Sequence, residues 1–181
     1  MADFPGVRIT ADRLDIREYG PGDVDLAGEL LSNGEPEALP PGAPTSSGDL
    51  PAWLADGVHQ PRRAGNGVHL MMLDRAADRI VGSISLFHTD WEIRAAEIGY
   101  GVRADERGKG YATEALAAVA RWALTEGTMQ RAWLTANTDN VASVRVAEKA
   151  GFRREGTLRR ANREDDGLHD LAVFSLLDDE V

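Results

Sequence analysis

Glycine alternates with cationic residues in Glu106-Arg-Gly-Lys-Gly-Tyr-Ala-Thr-Glu-Ala-Leu116, immediately before an apolar stripe of helical period. Residues of these types in this order can hold an anion. A turn that opens a helix leaves several backbone N–H groups without intrahelical acceptors and aimed the same way. The helix dipole adds partial positive charge at that point, and together the two effects suit a phosphate or diphosphate. Gly108 and Gly110 tolerate left-handed backbone and let a ligand come up against the main chain. Arg107 and Lys109 would add mobile positive charge at the rim. The spacing is not that of a P-loop, which ends in Lys followed by Ser or Thr, nor is it the dinucleotide-binding Gly-x-Gly-x-x-Gly. A glycine turn that merely starts a helix is the plainer alternative.

More candidates flank that loop. Ala96-Glu-Ile-Gly-Tyr-Gly-Val102 reads as a strand running into it. Glu97 sits mid-strand, and Gly99 and Gly101 share its face, which leaves that face thin enough for a ligand to approach the backbone. Downstream lies Asn137-Thr-Asp-Asn-Val-Ala-Ser-Val-Arg-Val-Ala-Glu-Lys-Ala-Gly-Phe152. Asn137 and Asn140 each offer a donor and an acceptor, and Ser143 offers a hydroxyl. Asn140 can equally cap the helix that follows, and Ser143 can hydrogen-bond locally in its first turn.

Arg107-x-x-Gly110-x-Ala112, Glu97-Ile-Gly-Tyr100, Asn140-x-x-Ser143 and Glu148-Lys-Ala-Gly-Phe152 together resemble the GNAT acetyltransferase superfamily, in its RimJ/RimL-type (ribosomal-protein-N-acetyltransferase-like) branch. The diagnostic part covers residues 92 to 153, and weaker flanks extend it over nearly the whole chain. The resemblance implies the GNAT fold, a mixed α/β (α+β) domain with a central, mostly antiparallel sheet, one parallel strand pair and flanking helices. It implies an acetyl-CoA-dependent N-acetyltransferase in which a primary amine attacks the thioester directly, with acetyl-CoA as co-substrate and no metal. It places Arg107, Gly108, Lys109, Gly110, Tyr111, Ala112 and Thr113 on the donor diphosphate. It also places the main chain of Tyr100, Gly101 and Val102 along the pantetheine, in the manner of an added strand, where two parallel strands splay apart. Asn137, Asn140 and Ser143 would meet the arm and the thiol.

Such a reaction asks a protein to position both reactants, take a proton from the ammonium and stabilise the leaving sulfur. Glu97 is expected as the base, acting through water, as the resemblance implies. Pairing with an arginine or a structural water is the alternative role. Many members of the superfamily carry a tyrosine on the Asn-x-x-Ala helix, at the position that Ala147 occupies here, and alanine does no proton chemistry. Ser143 is the remaining expectation there, its hydroxyl hydrogen-bonding the thiolate.

Composition sets bounds. A chain of 181 residues is expected to form one domain, residues 1–181, with a core that needs no staples. There is no cysteine, so disulfides, thiolate metal sites and a cysteine nucleophile are out. Met1 to Gly6 shows neither a basic start nor an apolar run, and no stretch nears the ~20 apolar residues of a membrane span. A cytoplasmic protein is the expectation. A net charge of −10 argues against nucleic acid and suits a cationic amine. The late arginines at 153, 154, 159, 160 and 163 read as a solvated strand face. His59, His69, His88 and His169 lack the spacing of metal ligands, and His69 reads as a core residue. Trp53 and Trp91 could line an acceptor cleft, whereas Trp122 and Trp133 are expected in the core.

The elements that must position these residues follow from period and punctuation. A first strand is expected across residues 7–19, then a helix from Val24 with Asp23 as its N-cap. Asn33 to Gly48 is a Pro/Gly/Ser-rich loop, and a second helix spans Asp49 to about Gln60. Strands follow at 68–73, 80–87 and 92–102. The long helix covers Arg107 to Thr125 with Ala112, Leu116, Val119 and Ala123 on one stripe. A strand at 131–136 would lie parallel to its predecessor across that helix. A short helix from Asn140 closes at Gly151, and strands near 152–161 and 168–177 form a hairpin around Asp165-Asp-Gly167. Residues 33–64 are where acceptor choice is expected, and they carry no motif. The acceptor is left open between a peptide N-terminus and a small amine. A non-catalytic acyl-CoA-binding or sensing module is the competing function. A structural homodimer subunit with a dead site is a third.

Overall fold

The computed structural model describes residues 4–181. Among these residues eight strands form one sheet: β1 (Arg8–Thr10), β2 (Leu14–Glu18), β3 (Val68–Asp74), β4 (Arg79–Asp90), β5 (Ala95–Val102), β6 (Arg131–Asn137), β7 (Arg153–Glu164) and β8 (Gly167–Leu177). Their order across the sheet is β1-β2-β3-β4-β5-β6-β8-β7. Every pair is antiparallel except β5–β6. The helices are α1 (Val24–Ser32), α2 (Leu50–Ala55), α3 (Gln60–Arg63), α4 (Tyr111–Leu124) and α5 (Val141–Lys149). Among the described residues no helix is long and apolar enough to cross a membrane.

Each face of the sheet has its own core. Ala96 and Ile98 of β5, Ala132 and Leu134 of β6 and Phe174 of β8 meet Leu116, Val119, Ala120 and Ala123 of α4, together with Ala147 of α5. Burying side chains such as Leu116 or Phe174 contributes about 1.5–3 kcal/mol each relative to exposure. On the other face Met71 and Ile80 meet Leu30, Leu50 and Leu54 of α1 and α2. Strand side chains alternate between faces, so Glu97, Gly99 and Gly101 belong to this second face. There Trp133, Thr135 and Asn137 are only half-buried, and β7 is exposed almost throughout.

The sheet contains one split. The parallel pair β5–β6 has three registered partners, Ala95↔Arg131, Ala96↔Ala132 and Glu97↔Trp133. Both strands continue past that point without pairing to each other, β5 to Val102 and β6 to Asn137. Beyond Glu97, β5 has β4 on one side only, with the register Leu86↔Ile98 to Gly82↔Val102.

Several expectations are corrected. The first strand is two, with a turn at Ala11 to Arg13. The helix expected over 49–60 breaks after α2 at Asp56, and α3 restarts at Gln60. At this break Gly57 lies so close to Trp53 that a Cβ would come within 2.7 Å of the indole. Asp23 does not cap α1 with its side chain. Its carboxylate is pulled to the Gly20 N–H at 2.8 Å and to Arg17 at 2.7 Å. β5 starts at Ala95 rather than Glu92, and α4 starts at Tyr111, because Arg107 to Gly110 form the turn before it. Ala112 is half-buried rather than in the core, and so is Trp133, since Ala132, Leu134 and Ala136 take the core-facing positions of β6.

Candidate active site

The loop before α4 is built to expose its amides. Gly108 and Gly110 have φ of 77° and 88°, the left-handed region that penalises any Cβ. The Arg107 N–H is turned back to Ala104 O at 3.4 Å, whereas none of the N–H groups of Gly108 to Thr113 donates to another protein group among the described residues. They open into a cleft of ≈ 720 Å³ lined by the loop, by Tyr100 to Val102 and by the first turns of α5.

A brace from the β1–β2 turn holds this loop. Arg13 donates to the Lys109 carbonyl at 2.9 Å, pairs with Glu114 at 2.8 Å and lies 4.3 Å from the Tyr111 ring centre. Glu114 also accepts the N–H groups of Arg13 at 2.7 Å and Leu14 at 3.2 Å. The Tyr111 hydroxyl donates to Asp74 at the end of β3, which holds the Asp74 carboxyl below its ordinary range.

Both cations at the rim are paired with carboxylates. The Arg107 guanidinium reaches back to Val102 O at 3.0 Å and Glu37 at 3.3 Å. The Lys109 ammonium sits 2.9 Å from Glu106, which is itself buried and paired with Arg79. In a chain with ten surplus negative charges, carboxylates are near enough to take both. Arg145 and Lys149, one turn apart on α5, also line the cleft and make no ion pair among the described residues. Sequence reading missed them, although their i,i+4 spacing puts both on one helix face.

Glu97 stands at the point where β5 and β6 part, in the last registered pair. It is 8 % exposed. One carboxylate oxygen is 2.8 Å from His88 Nδ1 and the other accepts from the Thr135 hydroxyl at 3.4 Å. The partner is thus a histidine and not the arginine considered from sequence. The His88 side chain is 68 % exposed, and its backbone lies in the left-handed region at φ 48°, where the β4–β5 register shifts between Phe87 and Asp90. A non-glycine residue held there is strained, and such strain concentrates at functional sites. The bulge turns the ring across to Glu97, and sequence held no signal for it. The thin face beside Glu97 is used by the protein itself. A Cβ on Gly99 would come within 2.8 Å of the Phe87 ring, and one on Gly101 within 2.2 Å of the Glu37 carbonyl oxygen.

Tyr100, Gly101, Val102, Asn140 and Ser143 all line the cleft. The Asn140 side chain caps α5 by accepting from the Ser143 N–H at 3.1 Å. Asn137 does not line the cleft. It donates to Glu164 at 2.5 Å and accepts from Asn162 at 3.0 Å, on the open face of the sheet. The buried His69 bonds Ser85 Oγ at 2.8 Å, as a core histidine should, and desolvation lowers its pKa. Trp53 packs on Tyr19 and Trp91 on Phe4. At the β7–β8 turn, Glu164, Asp166 and His169 bring ligand-type atoms within 4.8 Å of one another, although His169 is already bonded to Asp166 at 2.7 Å.

Comparison with known proteins assigns this geometry a lineage. The acetyltransferase (GNAT) domain family matches residues 13–153. The uncharacterized N-acetyltransferase YnaD of Bacillus subtilis (strain 168) is 26% identical over 174 residues, which are 96% of this chain and 99% of YnaD. The ribosomal-protein-serine acetyltransferase of Escherichia coli (strain K12) is 29% identical over 102 residues, 56% of this chain and 57% of that protein. In fold, Mycobacterium smegmatis RimJ, solved in complex with CoA-disulfide, superposes with a TM-score of 0.81 at 22% identity and covers 100% of this chain and 92% of its own.

Proposed function

Because the chain belongs to the GNAT acetyltransferase family, we propose that it transfers the acetyl group of acetyl-CoA to a primary amine by direct attack in the split between β5 and β6. The observation that most supports this is the split itself. It joins a run of unbonded amides on one side of the sheet to a buried carboxylate on the other.

In this reading the donor diphosphate lies against the N–H groups of Gly108, Lys109, Gly110, Tyr111, Ala112 and Thr113, where the α4 dipole reinforces them. Arg107 leaves Glu37 to join it, and Arg145 and Lys149 add charge from α5. The pantetheine runs along the unpaired edge of Tyr100, Gly101 and Val102, with Asn140 at its side. Glu97 takes the proton from the incoming ammonium, directly or through water. His88, bonded to Glu97 and exposed, passes that proton to solvent. The Ser143 hydroxyl meets the sulfur. Asn137, held among Glu164 and Asn162, serves the acceptor side instead of the arm.

The acceptor is an amine that enters over the open face of β6 and β8. The kinship with a ribosomal-protein-serine acetyltransferase supports a protein N-terminus, and a small amine is the other candidate. Thiol release from acetyl-CoA, measured against N-terminal peptides, polyamines, amino acids and aminoglycosides, tests the proposal. Release with at least one amine and its loss in Glu97→Gln are expected. Calorimetric binding of CoA with no release on any amine would count against transfer and favour a sensing role.

A further inference from the structure

Residues 153–163 hold five arginines and one glutamate, in a chain of net charge −10. They lie on β7, an edge strand whose one neighbour is β8. Arg153 is paired with Glu180 at 2.9 Å, and Arg154 reaches the Thr157 hydroxyl at 3.0 Å. Arg154, Arg159, Arg160 and Arg163 are exposed and make no ion pair among the described residues. The backbone there is also displaced. Between the registered pairs Leu158↔Leu171 and Asn162↔His169, β7 has Arg159, Arg160 and Ala161 where β8 has Asp170 alone. Arg160 is held at φ 53°, and its N–H donates to the Asp170 carboxylate at 2.7 Å. A non-glycine residue in that region is strained, and strain of this kind concentrates at functional sites. The bulge releases Arg159 and Arg160 from the alternation of a regular strand. It also spoils the outer edge as a template for another strand, so β7 offers its guanidinium groups rather than its edge backbone. Charge on an edge strand can serve only to prevent self-pairing, but here the bulge already does that.

β7 borders the face over which the acceptor amine would enter. Glu97 is registered with Trp133, Trp133 with Ser175, and Ser175 with Arg153. Three strand spacings of about 4.8 Å put that row of β7 about 14 Å from Glu97. The bulge lies opposite Asp170, about five residues further along β8, or about 17 Å. The diagonal is about 22 Å, which about seven extended residues span. Arginine side chains reach part of the way back. On the reading that the split acetylates an amine, we propose that the acceptor is a polypeptide N-terminus followed by an acidic segment, its carboxylates about five to nine residues in, and that Arg159, Arg160 and Arg163, with Arg154, hold that segment. Guanidinium groups pair carboxylates bidentately. A nucleic acid strand fits less well. It carries a phosphate about every 3.4 Å and would run off the patch onto Asp165 and Asp166 at one end and Asp178 to Glu180 at the other. A second copy docked through β7 would set arginine against arginine, which is destabilising.

Two labelled peptides of roughly 12 residues test this, alike except for a run of glutamates or of glutamines from about the fifth residue on. Fluorescence anisotropy with CoA-loaded protein reads binding, and thiol release from acetyl-CoA reads transfer. At about 50 mM salt the glutamate peptide should bind about tenfold tighter than the glutamine one, and the gap should close by about 300 mM. The combined Arg159→Gln, Arg160→Gln and Arg163→Gln variant should erase the gap and lower kcat/KM for the glutamate peptide about tenfold, with the donor KM and the melting temperature unchanged. Arg163→Gln alone, outside the bulge, should give part of that loss. Arg121→Gln, on the exposed side of α4, is the control and should change nothing. Equal binding of the two peptides, or a preference that survives the combined variant, would overturn the assignment. Tighter binding of a uridine oligonucleotide of about 12 residues than of the glutamate peptide would overturn it in favour of nucleic acid. A salt-sensitive dimer that the combined variant loses would overturn it in favour of a second copy. Transfer that ignores the glutamates sinks this assignment alone. Binding of the glutamate peptide with transfer to no amine sinks the acetyl-transfer reading, and the acceptor role of the segment with it.

Discussion

Replacing Gly110 with alanine separates a loop that merely starts a helix from one that grips the donor. Gly110 sits at φ 88°, ψ 1°, where an L residue loses about 1–2 kcal/mol. The added Cβ would lie 3.4 Å from Arg13 Nη2, the far end of a flexible side chain, though one already tied to Glu114 and the Lys109 carbonyl. Strain therefore dominates. At about 2–4 °C per kcal/mol for a domain of this size, the melting temperature should drop by roughly 2–8 °C. If the backbone relieves the strain by tipping out of the left-handed region, the amides behind it lose their common aim. Losing one charge-assisted hydrogen bond, about 1.5–3 kcal/mol, raises the KM for acetyl-CoA about 10- to 100-fold. Gly108→Ala carries comparable strain at φ 77° but meets nothing within 4 Å. Any loss of donor affinity beyond its stability loss thus measures crowding by the donor itself. Gly22→Ala, with ordinary φ and nothing within 4 Å, is the control. Thermal melts and donor-saturation kinetics on the three variants are the assay. Gly110→Ala with a lowered melting temperature and an unchanged donor KM would refute the diphosphate grip.

Other outcomes follow from the same geometry. Glu97→Gln should lower kcat by about 10²- to 10⁴-fold with the donor KM preserved; steady-state kinetics with both substrates varied would show it. Arg13→Ala removes the brace on Lys109 O and Glu114 and should raise the donor KM with little change in the acceptor KM. Glu155 is bonded to Arg131 at 2.6 Å and to Ser175 at 2.6 Å. Mainly through Arg131, its carboxyl is lowered from 4.5 to about 2. A depressed carboxylate stabilises the fold above its unfolded pKa and loses that effect as pH falls through the folded value, here between 4.5 and about 2. Full linkage would be roughly 3 kcal/mol, but the pair is 30%/43% exposed and screening cuts this to about 1 kcal/mol. Denaturant melts of Glu155→Gln against wild type should differ at pH 7 and converge near pH 2.

Elements carried by local chemistry could be read from the chain, and elements carried by distant packing could not. The α4 loop was legible because two left-handed turns demand glycine. The end of α5 was legible because Gly151 takes φ 93° and donates back to Glu148 O at 3.1 Å. The turn in the first strand was not, because Ala11-Asp-Arg13 holds neither glycine nor proline, and Glu114, which accepts the Arg13 N–H there, lies about a hundred residues on. Nor was the split: apolar alternation in β5 and β6 is the same whether or not the strands pair to their ends. His88 was passed over because its role depends on a left-handed backbone that its residue type does not suggest. Trp133 was misplaced by hydrophobicity, although Ala132, Leu134 and Ala136 already claimed the core-facing positions.

An acidic chain with an anionic donor looks contradictory until distances are weighed. At physiological salt, charges more than ~8 Å apart are largely screened, so the net −10 would matter little to a diphosphate bound on the loop amides as proposed. What counts is the first shell. There Glu37 and Glu106 neutralise Arg107 and Lys109, and uncancelled positive potential is left on the loop N–H groups and on Arg145 and Lys149. The Arg107–Glu37 pair is exposed on both sides, at 57%/53%, so parting it costs about 1 kcal/mol or less. A diphosphate offers Arg107 a stronger, bidentate partner. Glu37 also belongs to the segment beside Gly101, where its carbonyl oxygen is the atom that an added Cβ would meet at 2.2 Å.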